Sequence, residues 1–487
     1  MKILMAASEV APFAKTGGLA EVVAALSKTL AGLGHDVRII LPRYQVVKPS
    51  GFKPVVEKIW VEIGSKREKA TVKATLTQNN LVYFVENERY FNREGLYGTP
   101  YGDYQDNDER FIFFSKAILA FLKTIDYQPD VIHCHDWQTG LIPVYLTTLY
   151  HKDPFYSQCA TLFTIHNLAY QGLFPADRFN LTGLSQDEFT TEGLEFYNKI
   201  SFIKGGLIYS DIINTVSRSY LEEIQAPEYG MGFENVLRSR REVLYSINNG
   251  LDYSEWDPAK DSFIFKRYDL NSLKLKKENK DCLLDELRLT DERDLPLIGM
   301  VSRLIWQKGI DLLVSAMDDL IHLPLQIVIL GKGERQYHDL LIEMAKRYPQ
   351  RLSINFGYDN ILAHKIYAGS DIFLMPSRYE PCGLAQLISL RHGTIPVVRA
   401  TGGLKDSILE FDPQNLTGNG FVFSRYCIEE FLGAIKRALS IYKEKVLWRR
   451  LMANAMREDF SWNRRAGDYV KLYKEAISKK LEKNQPN

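Results

Sequence analysis

Long apolar runs are missing from this sequence: none approaches the roughly 20 residues that a helix needs to span a bilayer, so no membrane partner is expected. Cysteine is scarce. The five present (Cys134, Cys159, Cys282, Cys382, Cys427) are scattered without a C-x-x-C pair, which excludes a disulfide framework and a thiolate zinc site and fits a reducing cytoplasm. Excess charge of either sign is also missing, with 61 basic against 60 acidic side chains and a net charge of +1. Neither a nucleic acid nor an anionic surface is expected as partner, and any anion must be gripped by a local site. Residues 1–8 faintly imitate a signal peptide, but the apolar stretch is short and Glu9 interrupts it, so secretion is not expected. There is no short-period repeat and no low-complexity tract. The G-x-G-x-x-G fingerprint is absent as well, which argues against a nicotinamide dehydrogenase.

What remains is the composition of an ordinary globular protein, 487 residues with 45% hydrophobic and 25% charged, long enough for two or three domains. Residues 2–7 read as a buried strand, 20–33 as an apolar-periodic helix stopped by Gly34, and 37–41 as the next strand, a βαβ unit. The same grammar returns with strands predicted at 297–301, 326–330, 352–356, 372–375 and 395–398 and a helix at 310–322. The fold class is therefore α/β, with two doubly wound domains. Periodicity stops at the turn-rich stretch from Asn248 to Pro258, the predicted domain edge. The polar residues 271–280 read as the solvated face of a helix running on through Leu283, Leu284 and Leu287. Residues 462–481 form an amphipathic helix carrying Tyr469, Leu472, Tyr473 and Ile477, followed by a polar tail.

Open α/β sheets bind ligands at the carboxyl ends of their strands, and the notable residues fall there. After the first strand comes Lys15-Thr16-Gly17-Gly18-Leu19, which offers backbone N–H groups and a cation to an anion or to sugar hydroxyls, or serves only as a tight turn. Arg303 and Lys308, in Arg303-Leu304-Ile305-Trp306-Gln307-Lys308-Gly309, place two cations before a helix, which suits a diphosphate; the bland alternative is a pair of solvated loop charges. Glu380 sits in a later strand-end loop where a carboxylate can hold sugar hydroxyls, and Thr401-Gly402-Gly403-Leu404 is a second candidate phosphate cradle. In the first half, His133-Cys134-His135-Asp136 and Thr164-Ile165-His166-Asn167 end strands with polar groups; His133 and His135 can share a face, but no metal is expected without further cysteine ligands. Asp106-Asn107-Asp108 resembles the D-x-D of metal-dependent transferases and is read instead as a helix cap.

In order and spacing these segments, together with His135-Asp136-Trp137-Gln138-Thr139-Gly140-Leu141, His166 to Gly172 and Glu380-Pro381-Cys382-Gly383-Leu384, resemble bacterial glycogen synthases and plant starch synthases over nearly the whole chain. The resemblance implies a GT-B architecture, two Rossmann-like domains facing across a cleft, with an acceptor-side domain at 1–247, a nucleotide-sugar domain at 248–460 and a terminal helix and tail at 461–487 that packs back on the first domain. It implies transfer of glucose from ADP-glucose to the 4-hydroxyl of an α-1,4-glucan with retention, no cofactor and no metal. Carried over by position, Arg303 and Lys308 hold and stabilise the departing diphosphate, Glu380 lies beside the donor glucose and His166 lines the anomeric centre. Lys15, Gly17, Gly18, Asn249, Thr401, Gly402, Gly403 and Leu404 fall to the donor, with Tyr358 stacking on the base; Glu21, Tyr97 and Asp136 fall to the acceptor. The sequence departs from the family's pattern at Glu21, where Asp is usual, and at Ala385. Ile388 stands where many other GT-B enzymes carry a second glutamate, which argues against a generic mannosyl- or glucosyltransferase. The rivals are another retaining transferase with a different acceptor and a silent glucan-binding protein.

Overall fold

The computed structural model describes residues 1–48, 51–77, 80–99, 101–289 and 292–484, which excludes the last residues of the expected polar tail. The chain divides into two compact units. The first comprises Met1–Val216, Leu221–Gly250 and the stretch from Trp462 onward; the second comprises Ser217–Tyr220 and Leu251–Ser461. Ser217–Tyr220 joins the second unit because Ser217 Oγ donates to the Pro381 carbonyl at 2.5 Å and Ser219 N and Oγ donate to the Asp406 carboxylate.

Unit 1 is built on a nine-stranded sheet. Its strands are β1 (Lys2–Ala6), β2 (Asp36–Pro42), β3 (Lys53–Ile63), β4 (Lys66–Leu76), β5 (Leu81–Glu86), β6 (Val131–His135), β7 (Ala160–Ile165), β8 (Ile212–Thr215) and β9 (Leu244–Ser246), in the spatial order β9-β8-β7-β6-β1-β2-β5-β4-β3. Pairing is parallel except at β3/β4 and β4/β5. β1, β6 and β7 are almost wholly buried because helices cover both faces, whereas β3 and β4 alternate, with Ile59, Val61, Ala70 and Val72 inside and Trp60 and Lys69 out. That alternating pair was not read from the sequence. Helix Trp462–Asn484 packs across β6, β7 and β8 and against helix Gly18–Gly32 with Tyr469, Leu472 and Tyr473 buried.

Unit 2 holds a six-stranded parallel sheet of β10 (Leu297–Leu304), β11 (Gln326–Gly333), β12 (Leu352–Phe356), β13 (Ile372–Met375), β14 (Ile395–Arg399) and β15 (Phe421–Phe423), ordered β12-β11-β10-β13-β14-β15. Three sequence expectations need correction here. β10 and β11 run about three residues past their predicted ends, so Arg303 lies within the ladder, opposite Lys332. The helix expected at 310–322 is two pieces, Ile310–Ser315 and Met317–Ile321. The helix Lys276–Glu286 exists, but Lys276, Asn279 and Lys280 are buried rather than solvated. Lys276 Nζ donates to the Ala368 carbonyl (2.6 Å) and Thr394 Oγ1 (2.7 Å), and Lys280 pairs with Asp371 at 2.7 Å, so polar spelling here marks a satisfied interior.

In both sheets the chain winds outward from a central strand, returns, and winds out the other way. The reversal lies between β1 and β6 in unit 1 and between β10 and β13 in unit 2. Outside the carboxyl ends of such neighbours a crevice opens that connecting loops do not cross.

Candidate active site

At the unit 1 reversal, β1 delivers Ser8 and Glu9. The Glu9 carboxylate accepts from Thr16 Oγ1 (2.6 Å), Thr16 N (2.5 Å), Gly17 N (3.3 Å) and Tyr97 Oη (2.7 Å), while Ser8 Oγ and Tyr97 Oη lie 2.8 Å apart. One buried carboxylate therefore shapes the turn that opens helix Gly18–Gly32, and Gly17 has open space around the position of a Cβ. Tyr97, expected at the acceptor, has its hydroxyl engaged by Ser8 and Glu9, and burial pushes its phenol well above its usual range. Lys15, expected at the donor, and Glu21, expected at the acceptor, form an ion pair with each other.

β6 ends in His135 and Asp136. Asp136 has φ 55° and ψ −177°, a conformation few residues other than glycine adopt, and its carboxylate accepts from His166 N at 2.7 Å. Burial pushes the Asp136 carboxyl up to about 7 despite the backbone N–H donors of His166 and Asn167. His135 Nδ1 and His166 Nε2 lie 3.0 Å apart, and burial holds His166 down to about 3, a neutral imidazole at physiological pH. Asn249 is buried, and its Oδ1 finds no hydrogen-bond partner among the described residues.

At the unit 2 reversal, two loops are zipped together. Gly309, at φ 72°, has its Cβ position 2.0 Å from the Pro376 carbonyl, so a side chain there would force the loops apart. Arg378 N donates to Gln307 O (2.9 Å) and Gln307 Nε2 to Tyr379 O (3.3 Å). The zipper brings Lys308 Nζ to 2.5 Å from Glu380 Oε2, which also accepts from Ser377 Oγ at 3.1 Å. Glu380 is 5% exposed. Arg303 Nη2 reaches Gln307 Oε1 at 3.3 Å. Cations and a carboxylate thus converge where a strand end and a loop leave the sheet, an arrangement fitted to an anionic leaving group beside a hydroxyl-rich one.

The second glycine pair does something other than expected. Gly403 N donates to Glu380 O at 3.0 Å and Leu404 N to Thr401 O at 3.1 Å, while a Cβ on Gly402 (φ 45°) would lie 2.0 Å from Glu380 O. The pair seats the Glu380 loop, and the Gly403 N–H is not left over for a phosphate. Tyr358, after Gly357, is 74% exposed on the same unit.

Residues 2–239 match the family described as the starch synthase catalytic domain, and residues 288–454 match glycosyl transferases group 1. Among curated relatives, the glycogen synthase of Koribacter versatilis is 48% identical over 98% of both chains, and that of Thermotoga petrophila 48% identical over 98% of this chain and 99% of its own. The catalytic domain of starch synthase IV from Arabidopsis thaliana, solved with ADP and acarbose, superposes with a TM-score of 0.92 at 33% identity over 98% of this chain and 99% of that one. The chain belongs to the glycogen synthase and starch synthase family. Its two-domain α/β fold is the GT-B fold of that family. A sucrose-phosphate synthase from Thermosynechococcus elongatus, at 17% identity and a TM-score of 0.62, shares the fold alone.

For a glycogen synthase family member, the D-x-D-like segment has an ordinary explanation. Asp106 does not cap its helix through its side chain; it holds Arg93 bidentately at 2.6–2.7 Å, and Asp108 holds Arg178 at 2.6 Å. Among the described residues no three His, Cys, Asp or Glu side chains gather as a metal would require. Sequence reading also missed participants: Glu9, met there only as a break in an apolar stretch; Ser377; and His135 as a partner of His166. An acidic residue at the carboxyl end of the first strand was the available signal for Glu9.

Proposed function

We propose that this member of the glycogen synthase family transfers glucose from ADP-glucose to the non-reducing-end 4-hydroxyl of an α-1,4-glucan, with retention at the anomeric carbon. The observation that carries the reading is the unit 2 reversal, where Lys308 pairs with Glu380 and Arg303 reaches the neighbouring Gln307. Negative charge grows on the diphosphate as the glycosidic bond breaks, and cations fixed in advance stabilise that change more than they stabilise the bound donor. Glu380 is held by Lys308 and Ser377, which suits holding glucose hydroxyls rather than attacking carbon. The reading is therefore a same-face departure and attack without a covalent intermediate.

The exposed ring of Tyr358 stacks on adenine, and Asn249 Oδ1 accepts from a donor-sugar hydroxyl. Lys15, Gly17, Gly18, Thr401 and Gly402 line the donor, while Gly403 and Leu404 act through the Glu380 loop. Asp136, Glu21 and Tyr97 shape the acceptor side. Charge neutralisation by side chains makes a metal unnecessary. Five free cysteines suit the cytoplasm.

A donor panel with glycogen as acceptor tests the reading. ADP-glucose should support the largest kcat/KM and release α-linked product; equal or faster transfer from UDP-glucose, or transfer only to small acceptors, would contradict it.

A further inference from the structure

His133 and His135 are buried and His166 lies half-buried beside them; of the three, only His166 is expected at the reacting sugar. His133 and His135 lie two apart on β6 and so share a face. Their ring centroids are 3.9 Å apart with planes at 34°, and His133 is pinned by Tyr473 Oη at Nδ1 (2.9 Å) and by Thr164 Oγ1 at Nε2 (2.7 Å). Tyr473 comes from helix Trp462–Asn484, and Asn214 Nδ2 donates to the same Thr164 hydroxyl at 3.3 Å. His135 therefore packs against a ring that cannot turn. Its Nδ1 meets His166 Nε2 at 3.0 Å, and its Nε2 is buried with no hydrogen-bond partner among the described residues.

These contacts decide where the protons sit. Burial depresses the basicity of all three imidazoles, so each carries one N–H. A buried N–H without an acceptor is rarer than a buried acceptor without a donor, so the proton of His135 belongs on Nδ1 and Nε2 is the bare nitrogen. The Nδ1–H then donates to His166 Nε2, which must itself be unprotonated. We infer that His135 is a positioning residue that fixes His166 as the Nδ1–H tautomer, braced by His133 and the C-terminal helix. On the reading that His166 faces the reacting sugar, it meets substrate as a hydrogen-bond donor through Nδ1–H; its one lone pair is engaged by His135, so it does not serve as the base that takes the acceptor proton.

The test is long-range ¹H–¹⁵N NMR of the full chain labelled at histidine, with His166→Gln to assign the signals. The unsubstituted chain should show a pyrrole-type Nδ1 and a pyridine-type Nε2 for His166. His135→Asn keeps an N–H near the place of Nδ1 and should keep that pattern; His135→Leu should lose it. By analogy with partners that orient metal-bound histidines, His135→Leu should lower kcat roughly 10–100-fold with the ADP-glucose KM little changed, and His135→Asn should recover most of that loss. A pyrrole-type Nε2 on His166 in the unsubstituted chain overturns the inference, as does a His135→Leu chain with unchanged tautomer and unchanged kcat. Should His135→Leu fail to fold, the spectrum of the unsubstituted chain still decides. A chain that transfers no glucose to glycogen would sink the functional reading, while the spectrum would judge the tautomer independently.

Discussion

The two sheet reversals each hold a lysine–glutamate pair but differ in what surrounds it. In unit 1, beyond the turn with its Glu9 carboxylate and Lys15–Glu21 ion pair, the ends of β6 and β7 carry imidazoles that burial keeps uncharged and a carboxyl pushed up to about 7, and the Asn249 amide oxygen has no partner among the described residues. In unit 2 the strand ends carry charge held in ion pairs, Lys308 with Glu380 and Arg378 with Asp311. Neutral donors and acceptors match sugar hydroxyls, which bring no charge to offset desolvation, whereas a diphosphate repays the cost of fixing cations. On the proposed reading, the same topological device faces sugar in one unit and phosphate in the other according to which side chains follow the strands.

The largest expected effect is at Lys308. Lys308→Ala should lower kcat roughly 10²–10³-fold, as removal of one preorganised charge-stabilising donor does. It also leaves buried Glu380 unpaired, at a cost on the order of 3 kcal/mol, so the thermal midpoint should fall as well. Adding Glu380→Gln should restore the midpoint but not kcat, which separates the two roles; a double variant that recovers both would break the contrast. Arg303→Lys should keep only part of the rate, because an ammonium cannot make the planar two-point contact of a guanidinium.

Asp136 comes next. Its folded-state pKa is raised, so between about pH 4 and pH 7 the folded chain holds a proton that the unfolded chain has lost. Stability therefore falls as pH rises through that window and levels off above it. Asp136→Asn removes the titration, and at about 1.4 kcal/mol per pH unit of displacement the effect is bounded near 4 kcal/mol. The variant's thermal midpoint should gain on the unsubstituted chain between about pH 4.5 and pH 8, by several degrees at roughly 2–4 °C per kcal/mol. A parallel pH profile would mean that the carboxylate is charged and paired like those of unit 2.

A smaller effect is expected at Tyr358. Because its ring is 74% exposed, Tyr358→Ala should leave the midpoint unchanged while raising the ADP-glucose KM roughly tenfold, within the 1–3 kcal/mol typical of base stacking. An unaltered donor KM with a raised glycogen KM would move the residue to the acceptor. The smallest effect is none: excess EDTA should not change the rate, and loss restored by Mn²⁺ would return Asp106 and Asp108 to consideration despite their arginine partners.

The comparison also shows what was legible in the sequence. Strands buried on both faces announce themselves as short apolar runs, so β1, β10, β13 and β14 stood out, and the motif residues at their ends could be placed. β3 and β4 did not stand out, because half their residues face solvent and read as polar. Buried polar groups misled in the same way: Lys276 and Lys280 looked like a solvated face, since periodicity cannot reveal that Thr394, Asp371 and backbone carbonyls await them. Pairings across long sequence separations were invisible for a related reason. Nothing local shows that Lys308 meets Glu380, that Tyr97 donates to Glu9, or that Gly403 gives its N–H to Glu380.

The division of labour is tested most directly by titrating ADP, which carries the diphosphate without the sugar, into three chains by calorimetry: unsubstituted, Arg303→Ala and His166→Ala. Loss of one charge-assisted contact, worth about 1.5–3 kcal/mol, should weaken ADP binding to Arg303→Ala by roughly ten- to a hundredfold, while His166→Ala binds ADP as the unsubstituted chain does. Undiminished affinity in Arg303→Ala together with lost affinity in His166→Ala would put the phosphate-facing site in unit 1 and contradict the account.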